Sequence, residues 1–193
     1  MKIGSLKING INNPLGYAYE GVTLSWIVEE AAASKQKETV VKVASDKGMK
    51  NVIFEKRGVL HCSGVELEVK PVLRTAYYVT VEVTAEDGSC AVSEVASFET
   101  GKMDEPWEAK WIGTGADYKA HPVLFKEFTA CSQKPVSKAR LYITGVGLYE
   151  AFINGKKVGE DLLAPFFNDY KTFAEIKGCH FNVTEDTIDG LKE

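Results

Sequence analysis

Between Tyr77 and Ala85 apolar and polar side chains alternate without a break. Tyr77, Val79, Val81, Val83 and Ala85 fall on one face; Tyr78, Thr80, Glu82 and Thr84 fall on the other. A period of two fits a strand with one face in a core, and no helix can use it. Asp87-Gly88 then supplies a turn, and Val92–Phe98 reads as the returning partner strand. Two strands do not hold a core alone, so the flanking sequence must supply more β-structure.

It does. Ile3–Ile8, Val22–Val28, Thr39–Ala44, Val52–Glu55 and Val65–Val69 are further strand candidates. Turn chemistry separates them: Asn9-Gly10, Asn12-Asn13-Pro14, Asp46-Lys47-Gly48 and Arg57-Gly58. Short strands at regular spacing predict a sandwich. Glu29–Lys37 has helix-forming residues but no apolar face, and reads as a long hairpin loop. Leu24-Ser25-Trp26 puts a Trp on an early strand, Leu73-Arg74-Thr75-Ala76-Tyr77 enters the alternating strand, and Phe98-Glu99-Thr100 closes the set. This pattern resembles a fibronectin type III or immunoglobulin-like sandwich. In such a fold Trp26 fills the space between the sheets, and the Tyr77 hydroxyl reaches backbone.

Lys102-Met103-Asp104-Glu105-Pro106 reads as a boundary, giving domains 1–103 and 104–193. Trp107 and Trp111 follow. Exposed side by side they could stack on sugar rings; packed, they would wedge the two domains together. Val123–Phe128, Ala139–Gly145 and Leu148–Ile153 read as strands. Asn154-Gly155 is a strong hairpin signal because both central residues tolerate positive φ. Lys156–Gly159 begins the return, and Phe181–Thr184 reads as one more strand.

The second half resembles the N-terminal β-sandwich of bacterial α-L-rhamnosidases of glycoside hydrolase family 78. The residues that carry the resemblance are Trp107–Ile112, Leu124–Phe128, Ala139–Gly145, Tyr149–Gly159 and Ala164–Tyr170, in that order. The family often has a fibronectin-like domain just upstream, so the resemblance covers essentially the whole chain. It implies an all-β chain: a fibronectin type III/immunoglobulin-like sandwich, then a partial jelly-roll sandwich of the galactose-binding kind. Ile176–Thr184 departs from the family's usual continuation. The family's catalytic domain is an α/α barrel, and no residue here matches its motifs.

The resemblance therefore implies a non-catalytic accessory region of an inverting α-L-rhamnosidase, which removes terminal α-L-rhamnosyl residues. Its implied partners are a rhamnoside and the catalytic barrel of the same polypeptide. Inverting hydrolysis needs two facing carboxylates, one to protonate the leaving oxygen and one to activate water. Asp104-Glu105, Glu160-Asp161 and Glu185-Asp186 read instead as solvated turn charges. The alternatives are a free-standing carbohydrate-binding or adhesion protein, and a complete small enzyme, which lacks any supporting constellation.

Sugars bind on aromatic faces flanked by groups that satisfy hydroxyls. Tyr118, Phe166, Phe167, Asn168, Asp169 and Tyr170 are the carbohydrate-contact candidates. Phe166 and Phe167 read equally as a cap on the sandwich or a seam for a missing barrel. His61-Cys62 and Cys179-His180 lack zinc spacing, and neighbours on a strand diverge. No metal and no cofactor are expected.

The net charge of −4 with scattered lysines argues against a nucleic-acid partner. No apolar run approaches the roughly 18 residues of a membrane span, and MKIGSLKING is not a secretory leader. The four cysteines are far apart and read as free thiols; a cytoplasmic location is the expectation. The closing Ile188–Glu193 has no finishing element, so a truncated second sandwich is expected. It should either pair strands with a second copy or lose order after about Tyr170.

Overall fold

The computed structural model describes residues 1–33, 35–113, 115, 121–129, 139–145, 148–160, 162 and 179–182. The chain divides into two compact units, Met1–Met103 and Asp104–Glu193. All regular structure among the described residues is β.

In the first unit the strands run β1 (Lys2–Ile8), β2 (Leu15–Tyr17), β3 (Val22–Glu29), β4 (Gln36–Ala44), β5 (Val52–Gly58), β6 (Val65–Leu67), β7 (Ala76–Ala85), β8 (Cys90–Val92) and β9 (Ala96–Thr100). One sheet has the order β1-β3-β6. The other has the order β2-β9-β7-β4-β5, with β8 also on β7. Tyr77, Val79, Val81, Val83 and Ala85 are all buried, as the alternation requires. Tyr77, Val79, Val81 and Val83 share a core with Val41, Val43 and Phe98 of their own sheet and with Ile8, Leu24 and Trp26 of the opposite one. Trp26 does fill the inter-sheet space, at 2% exposure. Tyr77 stacks on Phe98 at 4.9 Å between centroids, and Tyr19 meets Phe98 edge-on at 5.3 Å. The Tyr77 hydroxyl accepts from the Val72 amide at 2.8 Å. Burial, and secondarily Tyr17, pushes the Tyr19 phenol above its ordinary range.

Three sequence expectations for this unit are corrected, and one strand was not foreseen. Val92–Phe98 is not one strand: β8 pairs with the far half of β7 and β9 with its near half. Ser93 makes the break. Its amide donates to the Val81 carbonyl at 2.8 Å, and its hydroxyl accepts the Val81 amide at 3.0 Å, so a side chain replaces one ladder bond. The 29–37 segment is not a hairpin loop. It carries the chain from one sheet to the other, because β3 and β4 belong to different sheets. β2 was not foreseen; it is three residues held parallel to β9, with Gly101 donating to the Tyr17 carbonyl at 2.9 Å. His61 and Cys62 lie in the segment between β5 and β6, not on a strand.

Polar side chains fix the turns. Asn9 and Gly10 have φ of 48° and 79°. Asn9 Oδ1 accepts from the Thr23 amide at 2.6 Å, and its Nδ2 donates to the Gly21 carbonyl at 3.0 Å. Asp46 accepts from the amides of Asn51 at 2.6 Å and Lys50 at 3.2 Å. Those amides, Asn51 foremost, hold its carboxyl below the usual range. A depressed folded pKa stabilises above the unfolded value of about 3.9, and that stabilisation is lost as pH falls through the folded value. Melting curves of wild type and Asp46→Asn should therefore differ most near neutral pH and converge in acid. A gap that persists in strong acid would show that the turn does not depend on this charge.

β5 is an edge of the larger sheet. It is guarded by charge, as natural edges are. Arg57 pairs with Glu55 at 3.0 Å and Glu38 at 3.3 Å. Lys56 lies opposite Val41 in register, and its amine donates to the Glu66 carbonyl of β6 at 3.0 Å. An inward-facing lysine thus closes that side of the sandwich.

The described part of the second unit contains β10 (Arg140–Ile143), β11 (Phe152–Ile153), β12 (Lys156–Lys157) and β13 (Cys179–Asn182). β10 pairs antiparallel with β13, and β11 with β12. Val123–Phe128 joins no ladder among the described residues, contrary to the strand expected there. Val123 and Phe125 are more than four-fifths exposed.

Candidate functional site

The hairpin of the second unit follows from two residues. Asn154 and Gly155 adopt φ of 49° and 76°, the pair of left-handed conformations that a tight two-residue turn needs. They bring Phe152 opposite Lys157 and Ile153 opposite Lys156. Val158 then turns inward and donates its amide to the Ala151 carbonyl at 2.9 Å. It is buried against Leu141, Ile143, Tyr149 and Ile153. Tyr149 adds a hydroxyl bond to the Ile143 carbonyl at 3.3 Å. Lys157 pairs with Glu150 at 2.6 Å and also donates to the Leu162 carbonyl at 3.3 Å.

The carbohydrate-contact candidates Tyr118, Phe166, Phe167, Asn168, Asp169 and Tyr170 all lie outside the described residues. The neighbouring aromatic groups that are described face solvent. Trp107 is 42% exposed and Trp111 is two-thirds exposed. Among the described carboxylates, Glu150 is bound by Lys157, and Glu38 and Glu55 by Arg57, while Asp104 and Glu160 are exposed. Among the described residues no three of His, Cys, Asp and Glu gather as a metal cluster.

One further grouping was missed by sequence reasoning. A cleft of about 320 Å³ opens in the first unit, and its lining includes Met1, Lys35, Leu60, His61, Cys62 and Val83. His61 and Cys62 were expected to diverge, as they would on a strand. In the segment between β5 and β6 both residues line this cleft. The Gly64 that follows, at φ 70°, was a legible sign of a bend there.

The two units have separate counterparts among known proteins. Residues 3–104, over half of the chain, match the Rha78A-like N-terminal immunoglobulin domain. The chain belongs to this family. Beyond the immunoglobulin-like domain, residues 134–190 match the α-L-rhamnosidase N-terminal domain. The α-L-rhamnosidase of Formosa agariphila is 28% identical over 95% of this chain and 22% of its own length. The structure of the α-L-rhamnosidase from Dictyoglumus thermophilum superposes with a TM-score of 0.75 at 26% identity, over 95% of this chain and 23% of that one. The Streptomyces avermitilis α-L-rhamnosidase, solved with L-rhamnose, shares the fold at a TM-score of 0.54 and 23% identity, over 94% of this chain and 20% of that one. The chain thus spans about a fifth of the length of these relatives. It is an all-β chain in which an immunoglobulin-like domain precedes part of a rhamnosidase N-terminal domain. Both are homologous to N-terminal, non-catalytic domains of α-L-rhamnosidases.

Proposed function

We propose that this chain is the accessory N-terminal region of an α-L-rhamnosidase, supporting a catalytic domain without performing hydrolysis itself. The observation that carries the reading is the order of the two matches, immunoglobulin-like then rhamnosidase N-terminal, in a chain that spans about a fifth of such enzymes' length. The chemistry agrees. Inversion needs an acid and a base about 6.5–9.5 Å apart across a bound sugar, whereas Glu150 is tied to Lys157, Glu38 and Glu55 to Arg57, and Asp104 and Glu160 stand in solvent.

A nitrophenyl α-L-rhamnoside assay tests this. The chain alone should release nitrophenol no faster than buffer; turnover abolished by single carboxylate substitutions would overturn the reading. A second reading, a carbohydrate-binding module, is favoured by the exposure of Trp107 and Trp111. Under it, those indoles and the Phe166–Tyr170 stretch would contact a rhamnoside. Calorimetric titration with L-rhamnose separates the two: saturable heat lost on Trp111→Ala supports binding, and no heat supports scaffolding.

A further inference from the structure

An asparagine followed by glycine can react with its own backbone, because the second residue has no side chain to shield its amide nitrogen. Two such pairs have nearly the same conformation: Asn9-Gly10 at φ of 48° and 79°, and Asn154-Gly155 at 49° and 76°. All four residues are exposed. Their settings differ. The Asn9 side chain is anchored to the first unit by three hydrogen bonds. Its Oδ1 accepts from the Thr23 amide at 2.6 Å and the Thr23 hydroxyl at 3.0 Å, and its Nδ2 donates to the Gly21 carbonyl at 3.0 Å. Thr23 lies on β3, the central strand of its sheet. Cyclisation at Asn9 must first break all three bonds. Asn154-Gly155 instead joins β11 and β12, which have two residues each and form a sheet of their own. A hairpin of that size opens at small cost compared with a core strand.

We propose that Asn154-Gly155 is a site of spontaneous deamidation, selected over Asn9-Gly10 by the fold. When the hairpin opens, the Gly155 amide nitrogen gives up its proton and attacks the side-chain carbonyl carbon of Asn154. The carbon–nitrogen bond of the side-chain amide breaks, ammonia leaves, and a five-membered succinimide remains. Water then opens the ring at either carbonyl, giving aspartate or isoaspartate. Either product adds a negative charge to the turn. Aspartate keeps the turn, since Asp-Gly favours the same geometry. Isoaspartate adds one carbon to the main chain. That disturbs the pairing of Phe152 with Lys157 and the seat of Val158 against Leu141 and Tyr149. The site is independent of the proposed rhamnosidase role.

Incubating the intact folded chain in mildly alkaline buffer, then digesting it with trypsin for mass spectrometry, tests this. Cleavage after Arg140 and Lys156 gives a peptide whose only asparagine is Asn154. Fragmentation of the 8–35 peptide separates Asn9 from Asn12 and Asn13. Asn154 should convert at least about tenfold faster than Asn9. The gap should close when the incubation is run in urea, where neither pair is held. Equal rates in the folded chain, or no conversion at Asn154, would overturn the proposal. A gap that persists in urea overturns it as well, since flanking sequence and not the fold would then set the rates.

Discussion

Trp26→Ala is expected to lower the stability of the immunoglobulin-like unit by about 3–5 kcal/mol. That is a large share of the roughly 5–15 kcal/mol available to a domain. Trp26 sits on β3, the central strand of the three-stranded sheet, and is 2% exposed between the sheets. Removing the indole leaves a cavity bounded by two hydrogen-bonded sheets, which collapse poorly around a void. Trp26→Phe should cost clearly less. The indole Nε1 is buried without a hydrogen-bond partner, so deleting that N–H removes an unmet donor along with some packing. Urea titrations followed by circular dichroism measure both changes without relying on the indole's own fluorescence. A cost for Trp26→Ala below about 1 kcal/mol would mean that the sheets do not close over this residue.

Thr100→Val should cost about 1–3 kcal/mol, although it conserves shape. Thr100 is fully buried at the end of β9. Its hydroxyl donates to the Val72 carbonyl and accepts from the Thr75 amide at 2.8 Å. On the other side of Val72, the Tyr77 hydroxyl accepts the Val72 amide at 2.8 Å. One loop residue is thus held at both its backbone groups by two buried hydroxyls. Tyr77→Phe should weaken the same loop, and the double substitution should cost less than the sum of the two, because either change alone releases part of what the other holds. Hydrogen exchange should show the Val72 and Thr75 amides losing protection first. Strict additivity would mean that the two bonds act independently.

How much of this was legible depended on whether a residue's structure is set by its near neighbours. The β7 alternation and the Asn154-Gly155 turn could be read because side-chain period and left-handed φ are local properties. So could Trp26 and Tyr77, whose size and single polar group leave few places to stand. β2 could not, since its three residues become a strand only by lying beside β9, over eighty residues away. The split at Ser93 depends on a hydroxyl reaching Val81 across the sheet. Glu29–Lys37 has turn-like composition under either topology, and what decides between hairpin and crossover is which sheet β4 joins. Val123–Phe128 failed in the opposite sense: its residue types suit a strand, but among the described residues it pairs with nothing. The aromatic candidates from Tyr118 to Tyr170 rest on residue type alone.

The sheet order has a consequence for how the protein is made. β9 lies between β2 and β7 in the larger sheet, and Phe98 is the last core residue of the unit in sequence order. Asn13 also waits for this strand, its side chain accepting the Ser97 amide at 2.8 Å across 84 residues of chain. At roughly 5–20 residues per second of synthesis, β2 therefore spends several seconds outside the ribosome with no neighbour to bind. During that interval the inner faces of β3, β4 and β7 are open to water and to other nascent chains. Emergence of the 96–100 segment is the event that closes the sandwich, and a ribosome stalled just before it would display an unfinished core to any chaperone that binds exposed valines.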